Sequence, residues 1–325
     1  MAILFTGNWA AGQSRAAQIE VLPTEIQATE AATEPTAPPT EATAPPETTE
    51  PDRLPEQRLA CEEAAKEIRA GHVFVYDLTS QRMIYSSTEL NDKLYPASIT
   101  KLYSAFVALM YLEPDAVITA GEELSLVQPG SSVAYISKGD RLTVEMLIEG
   151  MLLPSGNDAA YIVAAAAGRE IAGDPKLDPV QAVQIFVAEM NREAYRLGMV
   201  NSKFTNPDGY HAGGHYTCPE DAALMGSLAM SNPIIAKYIG MLSHSVRFES
   251  GEKITWSNTN RLLNPESEYY VPSAVGMKTG YTSEAGYCLL AAFSQGEEQY
   301  LVGIFDAETK LSRYADAAKL LEACQ

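Results

Sequence analysis

The chain has 325 residues, of which 42 are Asp or Glu and 23 are Lys or Arg, so its formal net charge at pH 7 is −19. That balance argues against nucleic acid as a partner and does not favour electrostatic adhesion to an anionic membrane. Hydrophobic residues make up 46% of the chain, which is ordinary for a globular protein, and the length allows one large domain or two small ones.

The first 57 residues differ in composition from the rest. Residues 22–57 are mainly Thr, Pro, Glu and Ala and include the run TEPTAPPTEATAPPETTEP, which holds too few bulky apolar residues to order itself. We therefore predict a disordered N-terminal segment and spacer at 1–57 and a folded domain at 58–325. Residues 1–17 contain small residues suited to a cleavage site but only a short apolar run, so they could be the remnant of a signal region. No transmembrane segment is predicted.

Helical and strand patterns alternate along the folded part. Strands near both of its ends, with helices between them, predict an α+β fold in which one sheet carries an inserted helical subdomain. The predicted helices are Pro55–Arg69, Ser98–Leu112, Thr143–Leu153, Asn157–Gly168, Pro179–Leu197, Pro219–Met230 and Lys310–Ala323. The predicted strands are His72–Asp77 and Met83–Ser86, which form a hairpin, and Gly276–Lys278, Tyr287–Ser294 and Tyr300–Phe305.

A serine and a lysine three residues apart stand at the start of the second predicted helix. Pro96 suits a helix entry, so Ser98 should lie in the first turn with Lys101 on the same face. A serine hydroxyl needs a base, and a lysine can serve as one if burial or a nearby cation lowers its pKa from about 10.4. Taken alone, such a pair is more often a capping serine with a solvated lysine.

Ser155-Gly156-Asn157 lies in a loop between two apolar helical runs. Ser155 could pass a proton to a leaving amine, and Asn157 could hold an amide carbonyl of a substrate. By itself the motif is more simply a turn with an Asx cap, because Ser, Gly and Asn are the usual turn residues.

Lys278-Thr279-Gly280 precedes the buried strand Tyr287–Phe293. Gly280 allows close backbone approach. Lys278 could bind an anion and lower the pKa of Lys101, while Thr279 could donate a hydrogen bond to a carboxylate. By itself the motif is an ordinary strand with a surface lysine.

The conjunction of the three motifs, in this order, resembles the serine D-Ala-D-Ala carboxypeptidases, which are low-molecular-mass penicillin-binding proteins. The resemblance covers residues 58–325. It implies an antiparallel sheet flanked by terminal helices, with an inserted helical subdomain as in β-lactamases and transpeptidases, and a cleft where the two parts meet. The matching segments are Leu94–Lys101, Ser155–Asn157, Phe204–Gly209, His215–Thr217, Asn258–Leu263 and Gly276–Leu289.

The resemblance also implies roles for individual residues. Ser98 is the nucleophile, Lys101 its general base and Ser155 the relay that protonates the leaving D-alanine. The backbone N–H groups of Ser98 and Tyr281 could form an oxyanion hole. Arg313 resembles the family arginine that helps to bind the substrate carboxylate, although a surface residue at a helix start is an equal alternative. The implied substrate-binding residues are Asn157, Lys278, Thr279, Gly280, Tyr281 and Arg313.

The implied function is that of a cell-wall serine DD-carboxypeptidase. It would remove the terminal D-alanine of peptidoglycan stem peptides through a Ser98 acyl-enzyme, and β-lactam antibiotics would acylate the same serine. The alternatives are a DD-endopeptidase acting on cross-links, a class A-like β-lactamase, and a catalytically silent module that binds penicillin or the wall. Gly156 and the lack of a Glu-containing deacylation loop argue against the lactamase. An extracytoplasmic or cell-wall location follows from the function and the spacer.

The histidines and cysteines show no spacing typical of metal ligands, so neither a metal nor a cofactor is expected. His215 suits the ordering of its loop better than catalysis. In the family fold the terminal helices pack side by side, which suggests a Cys61–Cys324 disulfide as one hypothesis. Free thiols at these positions, and at Cys218 and Cys288, are the other.

Overall fold

Residues 53–324 are the part of the chain that the computed structural model describes, and within them strands lie at both ends of the domain with helices between. The strands are β1 (His72–Asp77), β2 (Arg82–Ser86), β3 (Val117–Thr119), β4 (Arg141–Thr143), β5 (Ser243–Arg247), β6 (Lys253–Ser257), β7 (Ala274–Thr282), β8 (Gly286–Gln295) and β9 (Glu298–Ala307). The α-helices are α1 (Leu54–Ala65), α2 (Thr100–Ala108), α3 (Val144–Leu152), α4 (Asn157–Ala172), α5 (Pro179–Arg196), α6 (Pro219–Ser231), α7 (Pro233–Ile239) and α8 (Ser312–Ala323).

The main sheet joins strands from the two ends of this region in the order β2-β1-β9-β8-β7, and all neighbouring strands are antiparallel. Both faces of the sheet are buried, because alternate residues of β8 pack into two different hydrophobic cores. Leu289, Ala291 and Phe293 pack in the core that also holds α1 and α8, whereas Leu290 and Ala292 pack toward the inserted helices. The predicted α+β fold, with terminal helices on one face of an antiparallel sheet, is confirmed.

The inserted helices pack around α4, which is buried along most of its length. Its run of alanines lets neighbouring backbones come close, and a Cβ at Gly168 would overlap the carbonyl group of Ala182 in α5. The prediction ended this helix at Gly168. The helix instead continues to Ala172 and ends at Gly173, whose φ of +66° is the left-handed conformation typical of a helix C-terminus.

Several predicted boundaries were wrong at helix ends. The first helix ends at Ala65 rather than Arg69, because Glu67 and Ile68 donate to carbonyls three residues back and tighten the last turn. The β5–β6 hairpin, the β3–β4 pair and α7 were not predicted. Their strands have three to five residues, and β5 is exposed except at Val246, so the apolar pattern is too short to identify them.

The two terminal helices lie side by side, as the resemblance implied. Cys61 of α1 and Cys324, directly after α8, are buried with their Sγ atoms 3.2 Å apart. All four cysteines are free thiols, so no disulfide joins this pair.

Within the described range, no helix has both the length and the apolar character needed to cross a bilayer. The predicted signal remnant (1–17) and most of the predicted spacer (1–57) lie outside the described residues. Of the spacer, only residues 53–57 are described, and 54–57 belong to α1. Both stay predictions.

Candidate active site

Ser98 is half-buried in a single 3₁₀ turn, Ala97–Ile99, that leads directly into α2. The sequence-based placement in the first turn of the α-helix was therefore slightly wrong. Ala97 has a φ of +46°, a conformation that costs a non-glycine residue on the order of 1 kcal/mol. The turn nevertheless keeps Lys101 three residues on, and its Nζ donates to Ser98 Oγ at 2.8 Å.

The Lys101 side chain is completely buried. Its Nζ also donates to the backbone carbonyl oxygen of Asp208 at 2.8 Å. Burial lowers the pKa of Lys101 to about 8, while the negative charges of Asp208 and Asp158 act in the opposite direction. Roughly one molecule in ten therefore carries a neutral Lys101 at pH 7, which makes this amine a usable base.

Ser155 and Asn157 line the same cleft as Ser98. Ser155 has a φ of +64° in the loop that follows α3, and Asn157 is the first residue of α4. Two backbone bonds hold this loop: Gly156 donates to Gly150 O at 2.9 Å, and Asn157 donates to Ser132 O at 2.8 Å. The packing of α3 and α4 thus places the second motif in the same cleft as the nucleophile Ser98.

Asp158, the residue after the second motif, was missed by the sequence analysis. Its buried carboxylate accepts hydrogen bonds from the backbone N–H groups of Ala134 at 2.7 Å, Ile136 at 3.0 Å and Ala159 at 2.9 Å. It thereby ties the wall of the cleft at Ser132 to the start of α4. An acidic residue in the first turn of a helix was the available signal.

Lys278 and Thr279 lie on β7, which borders the cleft. Lys278 is buried, and its Nζ donates to Thr279 O at 3.0 Å. Burial lowers the pKa of Lys278 well below its usual value, and repulsion from Lys101 and Arg313 adds to the effect. The charges that act on Lys101 are those of Asp208 and Asp158, so the predicted lowering of the Lys101 pKa by Lys278 stays a prediction.

Gly280 brings β7 against the nucleophile turn. A Cβ at this position would lie 3.1 Å from the Ser98 nitrogen and 3.0 Å from the Pro96 carbonyl oxygen. β7 at Gly280 therefore packs directly against the nucleophile turn, and the oxyanion hole formed by the Ser98 and Tyr281 N–H groups stays a prediction. The Tyr281 ring is 54% exposed and stacks on Tyr287 at 4.5 Å between centroids.

Arg313 lines the cleft although it is only 3% exposed. Its Nη1 donates to Gly280 O and Cys288 O, both at 3.1 Å, and its Nη2 donates to Tyr314 Oη at 2.9 Å. Its Nε has no hydrogen-bond partner in the region described. The surface alternative is therefore wrong: Arg313 supports the ends of β7 and β8 and contributes positive charge beside Lys278.

Two further groups of contacts support the site. Thr259 Oγ1 lies 2.6 Å from Thr279 Oγ1, and Tyr314 Oη donates to Thr259 O at 2.8 Å. The buried His215 accepts a bond from the Thr205 N–H at Nδ1 and contacts Thr100 Oγ1 through Nε2 at 2.9 Å. His215 thus joins its loop to the start of α2, in agreement with the predicted ordering role.

These elements enclose an open cleft of 1560 Å³. A hydroxyl beside a buried amine, a second hydroxyl and a positively charged strand edge are the groups that acyl transfer requires. No group of three or more His, Cys, Asp or Glu side chains suited to a metal occurs in residues 53–324. Of the predicted residues, the cleft is lined by Ser98, Ser155, Asn157, Thr279, Gly280, Tyr281 and Arg313, with Lys101 and Lys278 buried close behind.

The sequence is similar to that of characterised peptidases. A family model described as D-alanyl-D-alanine carboxypeptidase matches residues 59–309. The D-alanyl-D-alanine carboxypeptidase DacF of Bacillus subtilis is 31% identical over 248 residues, which are 74% of this chain and 58% of that protein. The D-alanyl-D-alanine carboxypeptidase of Streptomyces sp. strain K15 is 31% identical over 233 residues, which are 69% of this chain and 76% of the relative. The chain therefore spans well under two thirds of the Bacillus protein.

The fold is similar to those of solved structures. The Streptomyces K15 DD-transpeptidase has a TM-score of 0.71 at 29% identity, covering 79% of this chain and 97% of that one. The ampicillin-bound penicillin-binding protein D2 of Listeria monocytogenes has a TM-score of 0.63 at 25% identity, covering 79% of this chain and 98% of that one.

Proposed function

Because this chain belongs to the D-alanyl-D-alanine carboxypeptidase family of serine peptidases, we propose that it is a cell-wall DD-carboxypeptidase that works through a Ser98 acyl-enzyme. The observation that carries the proposal is the 2.8 Å hydrogen bond between the buried Lys101 amine and Ser98 Oγ. It pairs a hydroxyl with an amine whose pKa of about 8 suits a base near neutrality.

The reaction begins when neutral Lys101 takes the Ser98 proton as Oγ attacks the carbonyl carbon of the terminal D-Ala-D-Ala bond. The backbone N–H groups of Ser98 and Tyr281 stabilise the oxyanion. Ser155 passes its proton to the departing D-alanine nitrogen and is reprotonated by Lys101, which becomes neutral again. Neutral Lys101 then takes a proton from water as the water oxygen attacks the ester carbonyl carbon, and Ser98 Oγ leaves with that proton returned from Lys101.

The substrate carboxylate is placed by the positive edge of the cleft. Thr279 donates to it from β7, Arg313 supplies positive charge that attracts it, and the buried Lys278 amine stands beside them as a further hydrogen-bond donor. This local field differs in sign from the net charge of −19, which is spread over the whole chain. Asn157 holds the amide on the acyl side of the scissile bond.

Penicillins are expected to acylate the same serine, since a β-lactam presents a carbonyl and a carboxylate in a similar arrangement. The Listeria relative with this fold was solved in an ampicillin-bound form. The Streptomyces K15 relative is named both a carboxypeptidase and a DD-transpeptidase. The acceptor that clears the acyl-enzyme, water or an amine, is therefore measured separately in the test below.

The test uses diacetyl-Lys-D-Ala-D-Ala and follows D-alanine release with and without an added amine acceptor. The wild type should release D-alanine, and Ser98→Ala should lose both this activity and labelling by a fluorescent penicillin. Rapid nitrocefin turnover without D-alanine release would indicate a β-lactamase, and labelling without turnover a silent binding module. Cleavage of cross-linked muropeptides in preference to the tripeptide would indicate a DD-endopeptidase.

We further infer that residues 58–325, with residues 54–57 at the start of α1, are the catalytic domain and that the residues before them are a spacer. The partner is the peptidoglycan stem peptide, and the location is extracytoplasmic or cell-wall associated. The acidic composition supports the expectation that nucleic acid is not a partner. Fractionation of cells expressing the full chain, with penicillin labelling of each fraction, tests the location.

A further inference from the structure

Asp208 is buried directly behind the Ser98–Lys101 pair, and the reaction above gives its side chain no role. Its backbone carbonyl oxygen accepts a bond from Lys101 Nζ at 2.8 Å, and the same amine donates to Ser98 Oγ at 2.8 Å. The Asp208 side chain is 0% exposed. The base of the reaction is thus bonded to the backbone of a residue whose carboxyl group is enclosed in the same interior.

The turn that carries Asp208 is fixed on both sides. Asn206 Oδ1 accepts a bond from the Gly209 N–H at 2.8 Å, and Asn206 Nδ2 donates to Tyr210 O at 2.7 Å. Gly209 has a φ of +80°, and a Cβ there would overlap the Ala97 carbonyl oxygen. The turn therefore packs directly against the nucleophile turn, which places Asp208 at the amine.

The Asp208 carboxylate is incompletely hydrogen-bonded. Its Oδ1 accepts from the Tyr210 N–H at 3.2 Å, whereas its Oδ2 has no hydrogen-bond partner among residues 53–324. A buried anion with so few donors needs a compensating charge. Burial raises the pKa of Asp208, and the charge of Lys101 is the strongest influence in the opposite direction.

Asp158 of α4 also faces Lys101, but its carboxylate is satisfied by three backbone N–H groups. Its charge is therefore already engaged in holding the cleft wall. The charge of the Asp208 carboxylate is stabilised first by the Lys101 amine, and then by the backbone N–H groups of Tyr210 and Asp208 and by the Asn157 side chain. The other titratable groups around these side chains are Lys278 of β7, Tyr161 of α4 and, facing Lys278, Arg313 of α8.

We propose that the Asp208 carboxylate is a positioning residue: it is the counter-charge that holds the Lys101 amine beneath Ser98 and increases its affinity for a proton. The inference deepens the proposed function and depends on it, because it concerns the base of that reaction. A carboxylate beside the amine keeps more of Lys101 protonated at neutral pH, and its removal must shift the equilibrium toward the neutral amine.

The experiment measures the second-order rate of acylation by a fluorescent penicillin from pH 5.5 to 9.5. Asp208→Asn keeps the size and the backbone carbonyl but removes the charge. We expect the rising limb of its pH profile to move down by about one unit relative to the wild type. Asp208→Glu keeps the charge, and its limb should stay near that of the wild type. Asp208→Ser is a second uncharged variant. Its pH profile replaces that of the Asn variant if the Asn variant does not fold.

An unchanged limb midpoint in the uncharged variants, with only a uniform loss of rate, would show a purely structural role and overturn the inference. A shift to higher pH would also overturn it. Asp158→Asn is the matched comparison and should lower the melting temperature more than it moves the limb. If Ser98→Ala is labelled as well as the wild type, the proposed function fails. If the wild type is labelled at Ser98 but the Asp208 variants show no shift, only this inference fails.

Discussion

Thr259 Oγ1 and Thr279 Oγ1 lie 2.6 Å apart at the edge of the cleft, so the hydroxyl of the third motif is oriented by a residue 20 positions earlier. Thr259 is itself held from behind, because Tyr314 Oη donates to its carbonyl oxygen at 2.8 Å. The strand edge that faces a substrate carboxylate is thus supported by a chain of hydrogen bonds that begins at Arg313.

We predict that Thr259→Val weakens substrate binding without unfolding the protein. Valine has the same shape but cannot bond to Thr279, so the Thr279 hydroxyl loses its fixed direction. The loss of one such bond is worth about 1 kcal/mol, or about a fivefold rise in KM for D-alanine release. Thr259→Ser keeps the hydroxyl and should behave as the wild type. Equal kinetics for the valine and serine variants would contradict the prediction.

The acylation rate of the wild type should rise with pH with a midpoint near pH 8 and level off above about pH 9. The neutral form of Lys101 is the base, and burial lowers its pKa to about 8. Between pH 8 and pH 6 the neutral fraction falls from one half to about one hundredth, so the rate should fall roughly 50-fold. Penicillin labelling at short times measures it.

Lys101→Arg serves as the control for that profile, because arginine stays protonated throughout the range. It should reduce acylation by about 10²–10⁴-fold and abolish the rising limb. A limb that persists in this variant would assign the base to another group, with Lys278 as the first candidate.

Gly280→Ala should impair acylation more than it impairs folding. The added Cβ would lie 3.1 Å from the Ser98 nitrogen and 2.9 Å from the Ala97 Cβ, so β7 must move away from the nucleophile turn. Overpacking of this kind costs about 1–3 kcal/mol. Gly213→Ala is the matched control, since a Cβ at Gly213 meets no atom within 4 Å. Similar acylation rates for the two variants would count against a tight approach.

His215 should make the folded protein less stable in mild acid. Burial lowers its pKa to about 4, below the value of about 6.5 expected in the unfolded chain. Its stabilising effect is therefore fully present above pH 6.5 and is lost as the pH falls toward 4, by up to about 3 kcal/mol.

Urea unfolding of the wild type and His215→Gln at pH 7 and pH 4.5 measures this effect. The variant should be less stable at pH 7 but should lose less between the two values. Because carboxyl groups titrate alike in both proteins, the difference isolates the histidine. Parallel losses in the two proteins would show that His215 does not titrate on unfolding.

The Cys61 and Cys324 thiols should form a disulfide when the protein is treated with oxidised glutathione. Their Sγ atoms are 3.2 Å apart, and each bond formed transfers two electrons and two protons to one glutathione disulfide. A link between residues so distant in the chain stabilises the fold by up to about 5 kcal/mol in the loop-entropy model. Peptide mapping without reductant and melting with and without dithiothreitol detect it.

Cys61→Ser should lose the redox-dependent change in melting temperature, whereas Cys218→Ser should keep it. Cys218 serves as a control because its Sγ instead accepts the Asp221 N–H at the start of α6. Four titratable thiols in the glutathione-treated wild type would rule out the bond.

Local sequence signals predicted much of the fold because the interactions behind them are local. The helices that start at Pro179 and Pro219 were predicted at their first residues, since proline suits the first turn of a helix. The strands of the main sheet were found from their apolar runs. The β5–β6 hairpin was missed because Trp256 and Val246 are its only buried residues, too few to produce a period.

The three motifs, their order and the chemical groups they supply could be read from the chain, because residue type and spacing determine which groups share one turn or one strand. The positions of Asp158, Thr259, Tyr314 and Asp208 around those groups could not. Each contacts the site across at least 20 residues of chain, or acts through a neighbour that does. The protonation of the Lys101 amine depends likewise on burial and on the charges of Asp158 in α4 and of Asp208 in the adjacent turn. The burial and the charges that act on Lys101 come from segments far apart in the sequence. They act on the amine only once the sheet and the inserted helices have packed together.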